Sequence, residues 1–167
     1  MEAFEQSGMY GDRAALYDRI YAWKDYQGEA AMLRERLREA GIRDGARLVD
    51  GACGTGSHLA AFRRWYDVEG FDQSPELLAI AREKLPGVPL ARRDLVDFEL
   101  ARPADVFTCL FSAIGCVFPE ERLRACARSV ARALAPGGVA LIEPWIQPDT
   151  MRDHVVGLHV ADDDVPK

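Results

Sequence analysis

The chain has 167 residues, of which 49% are hydrophobic and 29% charged, and its formal net charge is −6. That is enough chain for one globular domain with a real core, and the acidic balance argues against a nucleic-acid partner, which needs a surplus of Lys and Arg on some face. No apolar run approaches the length of a membrane span, and the opening stretch MEAFEQSGMY carries acids and no apolar centre, unlike a signal peptide, so a cytoplasmic location is expected.

Four cysteines, Cys53, Cys109, Cys116 and Cys126, contain no C-x-x-C pair, and the three histidines do not cluster with them. Neither a zinc site nor a disulfide framework is expected. Buried, reduced thiols and no metal are the expectation.

In chain order, helical apolar spacing appears first around Ala14–Tyr21. A second helix fits Glu29–Ala40, with Ala30, Leu33, Leu37 and Ala40 on one stripe. Gly41 stands where a left-handed cap ends a helix, and Asp44-Gly45 turns into a short strand, ARLVD. A glycine-rich stretch follows, then a helix from Ser57 to Arg64 and a second strand at Tyr66–Phe71. Ser74-Pro75 is a helix start, because Ser caps free N–H groups and Pro loses no hydrogen bond in the first turn. That helix should run to Leu85. VPLA is a weak third strand, and ADVFTCL, at Ala104–Leu110, a stronger fourth. A helix opens at Pro119 and ends near Leu134, and APGG turns into a fifth strand, VALIE, at Val139–Glu143. Alternation of strand and helix predicts an α/β domain, a mostly parallel sheet with helices on both faces.

The stretch LVDGACGTGSHL, Leu48–Leu59, should lie where such sheets bind ligands, beyond the carboxyl ends of the strands. It fails as a dinucleotide G-x-G-x-x-G fingerprint. Counted from Gly51, the second glycine is Cys53; counted from Gly54, the third is Leu59. No Gly-Lys-Ser/Thr follows, so it is not a P-loop. It fits D-x-A-x-G-x-G on Asp50, Ala52, Gly54 and Gly56, in which small residues let the backbone approach a ligand and the acid accepts ligand N–H donors. A tight strand-to-helix turn without a ligand is the plain alternative. Asp72, at the end of the second strand, is placed to accept both hydroxyls of a ribose. Asp94 and Leu95 follow the third strand.

The loop resembles the first motif of the class I S-adenosylmethionine-dependent methyltransferases. LYDRIY, KDY, DGACGTGSHL, LLAIAREKLPGVPL, FTCLFSAIG and LAPGGVALIEPW together resemble the nucleotide-sugar N,N-dimethyltransferases, which methylate the amino group of dTDP-amino-deoxysugars in antibiotic biosynthesis. The resemblance implies a Rossmann-like methyltransferase fold as one domain, with N-terminal capping helices over residues 10–40 and the core over 46–145. It implies S-adenosylmethionine as cofactor. Asp94 and Leu95 would flank the adenine amino group, Leu110 and Phe111 would pack on the adenosine or methionine part, and Tyr17 would cap the cofactor. Tyr10, Cys116, Glu143 and Trp145 would line the acceptor side. Cys116 stands where the family tends to carry an aromatic or histidine; a thiol titrating near 8.5 is a poor base, so no catalytic residue is singled out.

Family members continue into antiparallel strands, whereas this chain stops soon after the fifth. That strand is expected to be an edge, covered by Pro144–Val160, by a second copy in a homodimer, or by further chain. Other readings keep the cofactor but change the acceptor to another natural-product amine or hydroxyl, or take the chain as an inactive, shortened cofactor-binding domain. An NAD-dependent oxidoreductase is weakened by Cys53 and Leu59.

Overall fold

The structure, a computed structural model, describes residues 14–144. Helix α1 spans Ala14–Ile20 and α2 Tyr26–Glu39; Asp25 caps α2 by accepting from Gly28 N–H at 2.9 Å. The core then alternates: β1 Arg47–Gly51, α3 Ser57–Phe62, β2 Asp67–Asp72, α4 Pro75–Lys84, β3 Leu90–Arg92, β4 Ala104–Cys109, α5 Glu120–Ala133 and β5 Leu134–Ile142. Ser74 caps α4 as expected, its hydroxyl accepting from Leu77 N–H at 3.1 Å.

Among the described residues the five strands form one all-parallel sheet in the order β3-β2-β1-β4-β5. Chain order therefore reverses between β1 and β4, and the loops leaving those two strands part from each other there.

Strand alternation sorts the core into two layers. Leu48, Val68 and Val106 face α2, α3 and α4, where Leu37, Leu59, Phe62 and Leu78 are fully buried. Val49, Phe71 and Phe107 face α5 and the segment around Leu95 and Phe98. Phe107 stacks on Phe98 with ring centroids 5.5 Å apart. At the other end of the strands Arg47 is buried and paired with Glu69, and donates to the Arg102 carbonyl at 2.6 Å.

The chain departs from the sequence reading at a few points. Strand β5 begins at Leu134, not Val139: Leu134 pairs with Ala104, and an irregularity before Val106 absorbs the Ala135–Gly138 turn within the strand. Helix α2 starts three residues early, at the Asp25 cap. A 3-10 turn at Ala113–Cys116 was not expected, and it leaves Cys116 exposed while the other three cysteines are buried. β5 pairs with β4 alone among the described residues. The cover expected from Pro144–Val160 lies outside them after Pro144.

Phe107 is the centre of the second layer, so Phe107→Ala should cost about 3–5 kcal/mol of stability through lost contacts and a residual cavity. Urea unfolding of the two proteins measures this directly.

Candidate functional site

The glycine loop leaves β1 at Gly51 and enters α3 at Ser57. Ala52, Gly54 and Gly56 all take positive φ, of 57°, 55° and 76°. Gly56 has no room for a side chain, because a Cβ there would stand 2.6 Å from Leu85 Cδ1. At Gly54 the reverse holds: among the described residues nothing lies within 4 Å of where its Cβ would be. The loop thus presents bare backbone on one side and is wedged against α4 on the other.

Asp72 fixes this shape. Its Oδ2 accepts from Gly54 N–H at 2.8 Å and its Oδ1 from Ser74 N–H at 2.9 Å. Burial raises its pKa, and the N–H groups of Ser74, Gly54 and Gln73 pull it back. Each oxygen keeps acceptor capacity beyond the one backbone bond.

Asp50 is more enclosed than a ligand-facing acid needs to be. It is buried, accepts from Thr108 Oγ1 at 2.6 Å, and burial pushes its carboxyl up to about 6 against the pull of nearby His58 and of that hydrogen bond. Asp94 lies at the rim, where Oδ1 accepts from Val96 N–H at 2.9 Å and Oδ2 from Arg122 at 3.0 Å. Leu95 and Leu110 are buried, Leu95 in the second layer and Leu110 in the first. Glu143 holds the loop after β4: its Oε2 accepts from Phe111 N–H at 2.6 Å, while Phe111 and Ser112 take positive φ. That bond points one carboxylate oxygen into the loop and not outward. Tyr10 and Trp145 lie outside the described residues.

Helix α1 touches the loop through Asp18, which accepts from Thr55 Oγ1. The rings of Tyr17 in α1 and Tyr21 lie 4.8 Å apart, tilted at 57°, and Tyr21 meets the Phe111 ring edge-on at 4.7 Å. Two further features were missed by the sequence reading. Asp18 accepts from Thr55 in the glycine loop at 2.5 Å and pairs with Lys84 of α4 at 2.7 Å, while Lys84 also reaches Ser57 at 3.0 Å. Glu29 of α2 joins Lys24, at 2.7 Å, to His58 Nε2, at 2.6 Å. The His58 and Lys24 contacts hold the Glu29 carboxyl down at about 2. Tyr26 closes the group, edge-on to His58 at 4.9 Å, its phenol pushed up to about 12, first by burial and then by the charges of Asp18 and Glu29. These pairs bridge distant segments, and no local spacing signals them. Of the stretches quoted for the resemblance, LYDRIY holds Asp18, KDY Lys24 and Tyr26, DGACGTGSHL Thr55, Ser57 and His58, and LLAIAREKLPGVPL Lys84, but the resemblance assigned no pairing to any of them.

Among the described residues no group of three or more His, Cys, Asp or Glu is disposed to hold a metal, and no helix is long and apolar enough to cross a membrane.

Sheet order, loop and covering helices define a doubly wound α/β domain with its cleft at the switch point. The chain belongs to the methyltransferase-domain family, whose profile matches residues 48–138. It is 42% identical, over 94% of its length, to the dTDP-4-amino-2,3,4,6-tetradeoxy-D-glucose N,N-dimethyltransferase of Saccharopolyspora spinosa, and 37% identical, over 90%, to the dTDP-3-amino-3,4,6-trideoxy-alpha-D-glucopyranose N,N-dimethyltransferase of Streptomyces venezuelae. It spans 64% of each of those proteins. Among solved structures, Streptomyces venezuelae DesVI superposes with a TM-score of 0.83 at 36% identity, covering 92% of this chain and 66% of that one. The amino pentose methyltransferase CalS10 from Micromonospora echinaspora, solved with S-adenosylmethionine bound, superposes with a TM-score of 0.77 at 40% identity, covering 87% and 61%.

The depressed Glu29 carboxyl has a pH consequence. Its stabilising contribution is present above its ordinary value of 4.5 and is lost as the pH falls towards about 2. The stability gap between the native protein and Glu29→Gln should therefore widen as pH rises from 2 to 5. Denaturant titrations across that range will read it, and a gap that does not vary would be incompatible with an ionised, hydrogen-bonded Glu29.

Proposed function

We propose that the chain is the cofactor-binding part of an S-adenosylmethionine-dependent N-methyltransferase, whose acceptor is the amino group of a dTDP-amino-deoxysugar in antibiotic biosynthesis. The observation that carries the reading is Asp72, a half-buried carboxylate at the end of β2 that is hydrogen-bonded to a glycine loop bare at Gly54. A carboxylate so placed suits the paired hydroxyls of a ribose. Those hydroxyls use the lone pairs that Gly54 and Ser74 leave.

The remaining residues fit the same ligand. The small residues Ala52, Gly54 and Gly56 keep the loop tight, and bare backbone at Gly54 allows close approach, with Asp50 fixed beneath the loop. Asp94 and Leu95 offer an acceptor and an apolar face for the adenine. Leu110 and Tyr17 wall the cleft from β4 and α1. Support for the acceptor comes from the relatives, whose names specify dTDP-aminosugar N,N-dimethyltransferases. On that side Cys116 is exposed at the 3-10 turn, and Glu143 acts by setting Phe111. Tyr10 and Trp145 complete the assignment.

S-adenosylmethionine supplies a methyl group on a sulfonium, already activated for attack by a neutral amine. The chain's own contribution is position and exclusion of water. Asp72 and the loop fix the nucleoside end; α1 closes over it through Asp18 and Tyr21; Phe111 is held at the mouth by Glu143.

Asp72→Ala removes two charge-assisted hydrogen bonds and should weaken S-adenosylhomocysteine binding tenfold or more in calorimetry. Native protein that binds NADH and ignores S-adenosylhomocysteine would overturn the assignment. Methyl transfer should be assayed on the gene product containing this chain, with a panel of dTDP-aminosugars. In that assay Cys116→Ala should retain measurable turnover; a loss near 10⁴-fold with cofactor binding intact would make the thiol a base.

A further inference from the structure

Glu143 has one carboxylate oxygen without a task. Its backbone N–H donates to the Cys109 carbonyl at 2.9 Å, which places it where β4 and β5 end together, on the β4 side of the switch point. Its Oε2 accepts from Phe111 N–H, but among the described residues its Oε1 accepts nothing, and the residue is half-buried. An ionised carboxylate only accepts, so the second oxygen calls for a donor.

The loop that Glu143 holds is strained. Phe111 and Ser112 take left-handed φ of 53° and 57°, although neither is glycine. Two such residues in a row persist only where neighbours fix them. Glu143 fixes the first, and the Pro144 carbonyl, which accepts from Ser112 Oγ at 3.2 Å, fixes the second. These bonds turn the chain aside directly after Leu110, and they also hold the Glu143 carboxylate still. The acids nearer the glycine loop are engaged elsewhere: Asp50 by Thr108, Glu29 by Lys24 and His58, Asp18 by Thr55 and Lys84.

With the nucleoside end on Asp72, an acceptor comes in over β4 and β5. We propose that Glu143 is a catalytic residue whose Oε1 accepts an N–H of the acceptor's amine. This deepens the function proposed above and rests on it. In the transfer the amine's lone pair forms the N–C bond, the C–S bond breaks with its electron pair on sulfur, and the positive charge passes from sulfur to nitrogen. A hydrogen bond from that nitrogen to a carboxylate strengthens as the charge arrives, so it stabilises the transition state more than the ground state. One proton then leaves the nitrogen for water.

The same contact limits the number of methyl groups. Primary and secondary amines each have an N–H to give and a lone pair to attack with. A neutral tertiary amine has no N–H, and a protonated one has no lone pair. Glu143 therefore orients the first two and not the third, so that transfer stops at two methyl groups, the limit that the relatives carry in their names.

The test compares the gene product containing this chain with its Glu143→Gln variant. The glutamine carbonyl still accepts from Phe111 N–H, but its NH2 group only donates, so the bend is kept and the amine loses its acceptor. Affinity for S-adenosylhomocysteine should stay within about twofold of native, while kcat on a dTDP-aminosugar should fall roughly 10- to 100-fold, the range of one charge-assisted hydrogen bond. Native protein should also bind the dTDP-aminosugar about tenfold or more tighter than the same dTDP-sugar with a hydroxyl in place of the amine. The variant should bind the two alike. If the variant does not fold, the native comparison stands alone, and equal affinity for the two sugars would overturn the assignment. A variant with native kcat would overturn it too. So would a matching loss of S-adenosylhomocysteine affinity, since Glu143 would then act only through Phe111. Native protein that methylates no dTDP-aminosugar overturns the function itself, an outcome distinct from a failure at Glu143.

Discussion

Asp72 has two carboxylate oxygens and spends one on Gly54 and one on Ser74. The first bond curls the glycine loop back toward β2. The second sets the start of α4, whose cap and first turn depend on Ser74. Loop, strand end and helix start are thus three consequences of one side chain. Burial works against the charge on this carboxylate, and the N–H groups that surround it work for it. Without it the loop would have residues in left-handed conformations and little to hold them there. Gly56, wedged against Leu85, holds the other end of the same curve.

Around this point the chain separates structural polarity from the polarity of the cleft. Arg47 and Glu69 pair at the amino ends of the strands, away from the loops. At the carboxyl ends, acids and cations from α1, α2, α3 and α4 meet in small groups: Asp18 with Lys84, and Glu29 with Lys24 and His58. None of these is buried as a lone charge, which is the condition for charges to be tolerated so near a core. Lys24 and Glu29 also bring the N-terminal turn to the mouth of β4, so the cleft has walls from both ends of the described chain.

Most of the sheet was legible in the sequence, because each strand is a short apolar run between turn residues and each helix has its own stop or start. Ser74-Pro75 and Gly41 are local signals with local causes. The start of β5 was not legible: Ala135-Pro136-Gly137-Gly138 reads as a turn, and only pairing with β4 draws Leu134 into the sheet. At the site, the small residues Ala52, Gly54 and Gly56 all take positive φ, and Asp72 hydrogen-bonds to Gly54. Asp50 and Glu143 were found as acids but not as acids turned inward, toward Thr108 and the Phe111 N–H, since burial is set by neighbours 58 and 32 residues away. Asp18, Lys84, Glu29 and His58 were missed for the same reason. Each looks, in one dimension, like a charge on a solvated helix face.

The clasp between Asp18 and its partners bears on the order in which the molecule assembles. Helix α1 has seven residues, too few to persist by itself in water. The groups that hold it, Thr55 and Lys84, lie 37 and 66 positions further along the chain. They come together only when the glycine loop and α4 have been placed by the sheet. Helix α1 must therefore wait, unformed, for the central strands, and the closing of the cleft on that side follows their assembly rather than leading it.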